Sequence, residues 1–298
     1  MRKRIAIIDL GTNTFNILVL DFEEGKREMV YTSKVGVGLG IGGINEGKIS
    51  ADSADRGIKT LIEFKRQCDE LEVDEIRGFG TSAIRNADNR EEFIQRAWEE
   101  SQISIKVISG AEEASYIYEG VRSGYQFSKP ALIMDIGGGS TEFILANSEG
   151  VIKAKSFEIG VSRIYQQFQF SDPYSAGDRE RIEGYLSEEI GDFFEEVEVD
   201  ELIGASGSFE TFFELVHEQT FPQGEYVSLS REAIEPCLEA ITRSTQEERD
   251  KNDFIIPIRK QMAPIAAIKI QWILNKLNIQ NIIISPFALK EGVIRQIQ

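Results

Sequence analysis

Two similar glycine turns combine residue types that bind phosphate and divalent cations. Glycine lets a chain turn sharply and bring several backbone N–H groups to one point, which suits phosphate oxygens. A carboxylate beside them is a ligand type that Mg²⁺ prefers. A tight hairpin without a ligand would explain either turn alone, but two copies favour a phosphate and metal cleft between two similar domains. The turns contain Asp9, Gly11, Thr12 and Asn13, and Asp135, Gly137, Gly138, Gly139 and Ser140.

Arg85 is the candidate anion clamp. It lies in the segment 80–89, which follows a predicted strand and precedes a predicted helix. In α/β proteins the ligand groups lie at such carboxyl ends of strands. The planar guanidinium can bind two phosphate oxygens at once, which lysine cannot do with the same geometry. The alternative is a surface ion pair with Asp88 or Glu92.

Two adjacent carboxylates, Glu112 and Glu113, open a predicted helix after the turn at Gly110. One of them can point into a cleft while the other faces solvent, although acidic residues in a first helical turn often only complement the helix dipole. The chain contains a single histidine, His217. Serine triads, histidine bases and histidine-rich metal sites are therefore excluded. A glutamate is then a candidate to orient and deprotonate a water that attacks phosphorus.

Composition describes a folded protein of about two domains. The chain has 298 residues, of which 41% are apolar and 28% are charged. No apolar run approaches the roughly 20 residues of a membrane-spanning helix, and the N-terminus lacks a signal-peptide pattern, so we expect a cytoplasmic protein. Cys68 and Cys237 are too isolated for a disulfide framework or a zinc site.

Charge limits the partners. The formal net charge is −17, which opposes binding to nucleic acid or to an anionic membrane. A site for an anion must reverse this field locally. We therefore expect no nucleic-acid or membrane partner, and if the chain self-associates we expect a homodimer.

The elements that must position these residues alternate between strands and helices, which predicts an α/β fold with a mostly buried sheet in each half. Residues 9–20 align without gaps on residues 135–146, and we interpret this as a duplicated β-turn-β unit. The predicted strands are 4–9, 16–21, 27–35, 75–80, 104–108, 130–135, 142–146, 152–157, 201–203 and 281–284. One predicted helix begins at residue 50, and the others span 89–100, 112–123, 161–168, 179–196 and 262–274.

The ordered motifs resemble the exopolyphosphatase and guanosine pentaphosphate phosphohydrolase (Ppx/GppA) family, within the actin, sugar-kinase and Hsp70 superfamily. The motifs are DLGTNTFNILVL, GTSAIRNADN, ISGAEEASYIYEGV, DIGGGSTEF, FEIGVSR, GASGS and SPFALKEGVI, between residue 5 and about residue 295. The resemblance implies two RNase H-like domains, 1–117 and 118–287, with the final helix from 288 packing on the first. It also implies that polyphosphate is hydrolysed from its end in the cleft between the domains.

The resemblance also assigns roles to single residues. It makes Glu113 the catalytic glutamate and Arg85 its phosphate-holding partner. Asp135 and Glu142 would bind Mg²⁺ or Mn²⁺, and Asp9 lies where the first acid of the cleft is expected. Phosphate would meet the two glycine turns, through Gly11, Thr12 and Asn13, and through Gly137, Gly138, Gly139 and Ser140.

One segment departs from the family pattern and keeps alternatives open. Residues 259–262 read Arg-Lys-Gln-Met where members usually carry Arg-Ala-Asp. The predicted function is an exopolyphosphatase that releases orthophosphate. The alternatives are a guanosine pentaphosphate 5′-phosphohydrolase, an ATP-using actin-like kinase or ATPase, and a non-catalytic sensor of polyphosphate or an alarmone.

Overall fold

The computed structural model describes residues 2–23 and 26–296. Its strands are β1 Lys3–Leu10, β2 Thr14–Glu23, β3 Lys26–Gly36, β4 Glu75–Gly80, β5 Ile105–Val107, β6 Ala131–Ile136, β7 Thr141–Ala146, β8 Val151–Phe157, β9 Glu201–Ala205, β10 Val227–Ser230 and β11 Asn281–Ile284. Its α-helices are α1 Ala51–Glu70, α2 Ser82–Arg85, α3 Arg90–Ser101, α4 Gly110–Val121, α5 Val161–Gln167, α6 Ala176–Ile190, α7 Gly207–His217, α8 Arg231–Arg243, α9 Gln246–Asp250, α10 Ala263–Lys276 and α11 Leu289–Gln296. Across this part of the chain, no helix has both the length and the apolar content to cross a bilayer.

The chain divides into two compact units. The first extends to Glu113 and takes in Gln296, and the second contains residues 114–295. The sequence placed the boundary between residues 117 and 118, inside α4. It also placed the last helix on the first domain, whereas α11 up to Arg295 belongs to the second unit. There α11 packs closely on α4, because a Cβ added at Gly292 would lie only 1.7 Å from the Tyr116 carbonyl oxygen.

The first unit is built on a five-stranded sheet of order β3-β2-β1-β4-β5. β2 is antiparallel to both of its neighbours, whereas β1, β4 and β5 are parallel. The apolar run of β1 is buried on both faces of the sheet, as a central strand requires. The register pairs Leu10 with Gly80 and Gly80 with Val107, so the three parallel strands end at one edge.

The second unit repeats this arrangement and adds one strand. Its sheet has the order β10-β11-β9-β6-β7-β8, in which β6, β9 and β11 are parallel and β7 is antiparallel to both of its neighbours. β10 is the added antiparallel edge strand. The duplicated turns also match, since the amide of Gly11 donates to the Thr14 carbonyl and that of Gly137 to the Ser140 carbonyl, each at 3.1 Å. The duplication predicted from the sequence is confirmed.

Candidate active site

Three candidate segments of the first unit meet at the edge where β1, β4 and β5 end. The amide of Thr81 donates to the Leu10 carbonyl at 3.3 Å, and the amide of Ile108 donates to the Gly80 carbonyl at 3.0 Å. These bonds continue the sheet ladder past the last paired residues. The first glycine turn, α2 and the start of α4 therefore follow neighbouring strand ends.

Arg85 and Glu113 form an ion pair at this edge. Nη1 of Arg85 donates to Oε2 of Glu113 at 2.7 Å and to the Ile108 carbonyl at 3.2 Å. The two side chains are only 15% and 9% exposed, respectively. Arg85 is thus held inside the unit next to the predicted catalytic glutamate, rather than extended over the surface.

The neighbouring Glu112 has a different environment. Its carboxylate accepts the amide of Ser109 at 2.9 Å and the Lys106 ammonium at 2.8 Å, and it is 42% exposed. The Ser109 hydroxyl accepts the Glu112 amide in return, which completes a capping box at the start of α4. The Lys106 ammonium, followed by the Ser109 amide, lowers the pKa of Glu112 to about 2. Glu112 therefore caps the helix, and Glu113 is the carboxylate that meets Arg85.

The first glycine turn is held by backbone hydrogen bonds from residues 37–40. A Cβ at Gly11 would lie 2.9 Å from the Thr14 carbonyl oxygen, so the turn needs glycine there. The Asn13 carbonyl accepts the amides of residues 37 and 38, and the Thr12 carbonyl accepts that of residue 40. Asp9 lies opposite Asn16 in the β1–β2 ladder and accepts its side-chain amide at 3.1 Å.

The second glycine turn rests on the start of α5. The carbonyls of Gly137 and Gly138 accept the amides of Val161 and Ser162 at 3.1 and 2.8 Å, and the Gly139 carbonyl accepts the amide of Gly160 at 3.1 Å. In a trans peptide the C=O and the following N–H point in opposite directions. The amides of residues 138–140 therefore point away from α5, as a phosphate-binding turn requires.

Asp135 and Glu142 face each other across the β6–β7 ladder. Directly opposite residues have Cβ atoms about 5 Å apart on the same face of the sheet. Glu142 is 1% exposed and accepts the hydroxyls of Ser140 at 2.7 Å and Ser156 at 2.6 Å.

These two carboxylates are the donor set available for a cation in the second unit. Within residues 2–23 and 26–296, no three histidine, cysteine or acidic residues converge as a metal cluster. Asp9, the third predicted ligand, belongs to the first unit. Mg²⁺ is commonly held by one or two carboxylates, with water and substrate phosphate filling its other positions, so Asp135 and Glu142 fit this ion.

Lys269 is a buried cation that the sequence analysis missed. It is 1% exposed in α10, and its ammonium donates to the Thr141 hydroxyl and, at 2.5 Å, to the Ile159 carbonyl. Burial lowers the pKa of Lys269 to about 7, against the opposing effect of the Glu142 carboxylate. The available signal was a lone lysine among the apolar residues of the helix predicted over residues 262–274.

Residues 259–262, which depart from the family pattern, pack near the second glycine turn. Arg259 donates to the Thr211 hydroxyl at 2.9 Å, and a Cβ at Gly207 would collide with its guanidinium. The Met262 sulfur accepts the Ser162 hydroxyl at 3.0 Å. The segment therefore contacts both α5 and α7.

Comparison with known proteins agrees with this architecture. The family model described as the Ppx/GppA phosphatase family matches residues 18–298. A crystal structure of an exopolyphosphatase from Cytophaga hutchinsonii is 33% identical, with a TM-score of 0.95 over 98% of this chain and 97% of that one. The predicted fold class, α/β with two RNase H-like domains of the actin-like superfamily, is confirmed.

Two curated relatives have lower identity. Exopolyphosphatase 1 of Mycobacterium tuberculosis is 26% identical over 98% of this chain and 87% of its own length. A bifunctional 3-dehydroquinate synthase/phosphatase of Fusobacterium nucleatum is 28% identical over 97% of this chain. The chain spans about half of that bifunctional protein, 46% of its length.

Proposed function

The chain belongs to the Ppx/GppA phosphatase family, and from this premise we propose that it is an exopolyphosphatase. The proposed reaction hydrolyses the terminal phosphoanhydride bond of inorganic polyphosphate. Water attacks the terminal phosphorus, a shorter polyphosphate leaves, and orthophosphate is released. The names of the Cytophaga and Mycobacterium relatives support this substrate.

The observation that carries the proposal is the Arg85–Glu113 pair at the strand edge of the first unit. A phosphoryl oxygen competes with Glu113 for the Arg85 guanidinium, because charge-assisted bonds to phosphate are strong and directional. A Glu113 oxygen released in this way can accept a proton from water. In the proposed reaction Arg85 holds the terminal phosphoryl group, and Glu113 orients the water and takes its proton.

The second unit supplies the other proposed binding groups. The amides of residues 138–140 suit phosphate oxygens. Asp135 and Glu142 would hold Mg²⁺ or Mn²⁺, since oxygen ligands favour these ions over zinc. When bound, the cation would offset negative charge on the phosphoryl group. In the first unit, the turn formed by Gly11, Thr12 and Asn13 stays a predicted phosphate contact, and Asp9 a predicted cation ligand.

The test is phosphate release by Glu113→Gln and its matched neighbour Glu112→Gln, assayed with polyphosphates of several lengths at varied Mg²⁺. General-base assistance contributes roughly 10²- to 10⁴-fold, so Glu113→Gln should lose about that much in kcat while still binding polyphosphate. Glu112→Gln should keep wild-type kcat, because that side chain caps α4. Full turnover by Glu113→Gln would overturn the assignment.

Guanosine pentaphosphate in the same assay separates the alternatives. Faster phosphate release from guanosine pentaphosphate than from any polyphosphate would assign the 5′-phosphohydrolase activity instead. Saturable binding of polyphosphate without release, in either Mg²⁺ or Mn²⁺, would assign the non-catalytic sensor.

A further inference from the structure

Three polar side chains form a row across the sheet of the second unit. The register pairs Asp135 with Glu142 between β6 and β7, and it pairs Glu142 with Ser156 between β7 and β8. Residues that lie directly opposite each other in an antiparallel ladder project from the same face of the sheet. The three side chains are therefore neighbours on one face, with Glu142 in the middle.

Two hydroxyl groups donate to the same oxygen atom of Glu142. The Ser156 hydroxyl donates to Oε1 at 2.6 Å from β8, and the Ser140 hydroxyl donates to Oε1 at 2.7 Å from the second glycine turn. A carboxylate has about four acceptor positions, two on each oxygen. Both positions of Oε1 are therefore occupied by donors of the protein itself.

Burial makes these two hydrogen bonds costly to break. Glu142 is 1% exposed and Ser140 is 3% exposed, so water does not readily replace a lost partner. Hydrogen bonds to an ionised acceptor are also about twice as strong as those between neutral groups. The Glu142 carboxylate is thus held in one orientation, with Oε1 on the side of the two serines.

This orientation limits how Glu142 can ligate a cation. A cation between Asp135 and Glu142 would meet Glu142 through Oε2, because bidentate ligation uses both oxygens and must displace a serine from Oε1. Mg²⁺ is small and octahedral and needs only one oxygen from a carboxylate. Ca²⁺ is larger, takes about 6–8 oxygen ligands and often binds a carboxylate through both oxygens. Monodentate ligation by Glu142 therefore disfavours Ca²⁺.

We propose that Ser156 is a positioning residue that sets the cation selectivity of the candidate active site. It acts through Glu142, since its hydroxyl occupies Oε1 and restricts the carboxylate to monodentate ligation. The result is a preference for Mg²⁺ and Mn²⁺ over Ca²⁺. This inference rests on the proposed function for the presence of a cation at Asp135 and Glu142, and it adds the residue that selects the ion.

Ser156 is the better of the two serines to replace. Ser140 belongs to the glycine turn that is predicted to bind phosphate, so its replacement would change two properties at once. Ser156 lies on β8, which is an edge strand and pairs with β7 alone. Its replacement by alanine removes one donor without interrupting the centre of the sheet.

The test is a titration with Mn²⁺ in buffer without phosphate, in which electron paramagnetic resonance measures the free ion. The chain has 50 acidic residues, so surface carboxylates also bind Mn²⁺. The difference between the wild type and Asp135→Asn isolates the Mn²⁺ bound at the candidate site. Mg²⁺ and Ca²⁺ are then added as competitors. In the wild type, Mg²⁺ should displace half of the site-bound Mn²⁺ at a lower concentration than Ca²⁺ does.

Three variants test the role of the hydroxyl. Ser156→Ala opens a position on Oε1, so the Ca²⁺ concentration needed for half displacement should fall about tenfold relative to that of Mg²⁺, as expected for one hydrogen bond to a charged group. Ser156→Thr keeps a hydroxyl and should keep the wild-type ratio. Ser101→Ala should also keep it, because this buried hydroxyl belongs to the first unit and donates to the Ala97 carbonyl.

Each contrary result would overturn the proposal. These results are an unchanged ratio in Ser156→Ala, an equal fall in Ser156→Thr, and displacement by Ca²⁺ before Mg²⁺ in the wild type, which needs no variant to fold. Equal Mn²⁺ binding by the wild type and Asp135→Asn would show that this carboxylate pair holds no cation. None of these readings depends on turnover, so full phosphate release by Glu113→Gln would refute the catalytic assignment and leave the selectivity result intact.

Discussion

At the scale of single residues, the second unit stabilises a buried charge beside its candidate cation ligands. Lys269 donates to the Thr141 hydroxyl, directly after the second glycine turn, and to the Ile159 carbonyl, just before α5. Glu142, which follows Thr141, is equally buried. The negative charge of Glu142 thus stabilises the buried Lys269 ammonium. A cation bound to Glu142 would weaken this stabilisation.

The lowered pKa of Lys269 predicts a pH dependence of stability. The pKa is about 7 in the folded protein and 10.5 for an unperturbed lysine, so between these values the unfolded chain binds a proton that the folded chain does not. Stability rises with pH where the unfolded state binds more protons. The unfolding free energy of the wild type, relative to Lys269→Met, should therefore increase from pH 7 to pH 10, by at most about 1.4 kcal/mol per pH unit.

Denaturant unfolding in metal-free buffer measures this difference, because a cation at Glu142 would alter the titration. Lys276→Met, at the exposed end of the same helix, is the control and should show no such trend. A difference between wild type and Lys269→Met that stays constant over this pH range would contradict the prediction.

Adjacent residues show what the sequence could predict at this scale. The motif around residue 110 predicted a functional glutamate, but residue types alone left Glu112 and Glu113 equivalent. Their roles separate only through contacts distant in the chain, since Arg85 is 28 positions from Glu113. Lys269 was missed for a related reason, because its acceptors lie more than 100 positions away in the sequence.

At the scale of elements, α5 packs tightly against the second glycine turn. The carbonyls of the turn cap the amides at the start of α5. A Cβ at Gly160 would lie 2.2 Å from the Gly138 carbonyl oxygen and 2.4 Å from the Gly139 carbonyl carbon. Because these are backbone atoms, an added methyl group must move the turn itself.

Gly160→Ala should therefore impair phosphate binding through the position of the turn. Gly160 has φ −62°, which alanine adopts without strain, so the effect is steric. Overpacking of this kind costs about 1–3 kcal/mol of stability. We expect a lower Tm and a KM for polyphosphate raised by about tenfold or more, measured by thermal unfolding and phosphate release.

Gly184→Ala is the matched control, because a Cβ there meets nothing within 4 Å and α6 gains from alanine. It should keep the wild-type KM and raise the Tm slightly. Equal KM values for Gly160→Ala and Gly184→Ala would show that the turn tolerates the added methyl group.

The loop that carries Asp172 and Tyr174 depends on the first turn of α6. Burial raises the pKa of Asp178, but hydrogen bonds from Ser171 and Ser175 outweigh this effect and lower it to about 2. The two serine hydroxyls donate to the Asp178 carboxylate at 2.5 and 2.7 Å. Asp178 thus joins the cap of α6 to the preceding loop at Ser171.

Acid should weaken this connection. A carboxylate whose folded pKa is about 2, against 3.8 when unperturbed, stabilises the fold above pH 4 and loses that effect as the pH falls through 2. The contribution is about 2 kcal/mol. The unfolding free energy of the wild type, relative to Asp178→Asn, should therefore decrease from pH 4 to pH 2. A difference that is the same at both pH values would contradict this role.

The hydrophobic pattern and the turn residues predicted most helices and strands, but they predicted none of the elements within residues 207–250. α8 has Ile234, Leu238 and Ile241 at helical spacing, yet Pro236 inside the helix obscures the pattern. Local motifs predict turns well, whereas sites assembled by tertiary packing need the structure.

At the scale of the whole molecule, net charge opposes the proposed substrate. The chain carries −17, so a polyphosphate approaches against long-range repulsion. The proposed contacts to Arg85 and to backbone amides act only over a few ångströms. The Debye length falls from about 30 Å at 0.01 M salt to about 10 Å at 0.1 M, so added salt screens the repulsion before it affects the contacts.

We therefore expect kcat/KM for polyphosphate to rise as KCl increases from about 0.01 to about 0.1 M, at constant free Mg²⁺. Most enzymes that bind polyanions through a basic surface lose affinity over this range, because salt weakens their long-range attraction. Phosphate release at substrate concentrations well below KM measures the change, and sucrose at matched osmolality controls for effects of the solute. A steady fall in kcat/KM from the lowest salt would mean that a positive field around the site outweighs the charge of the whole chain during the approach of substrate.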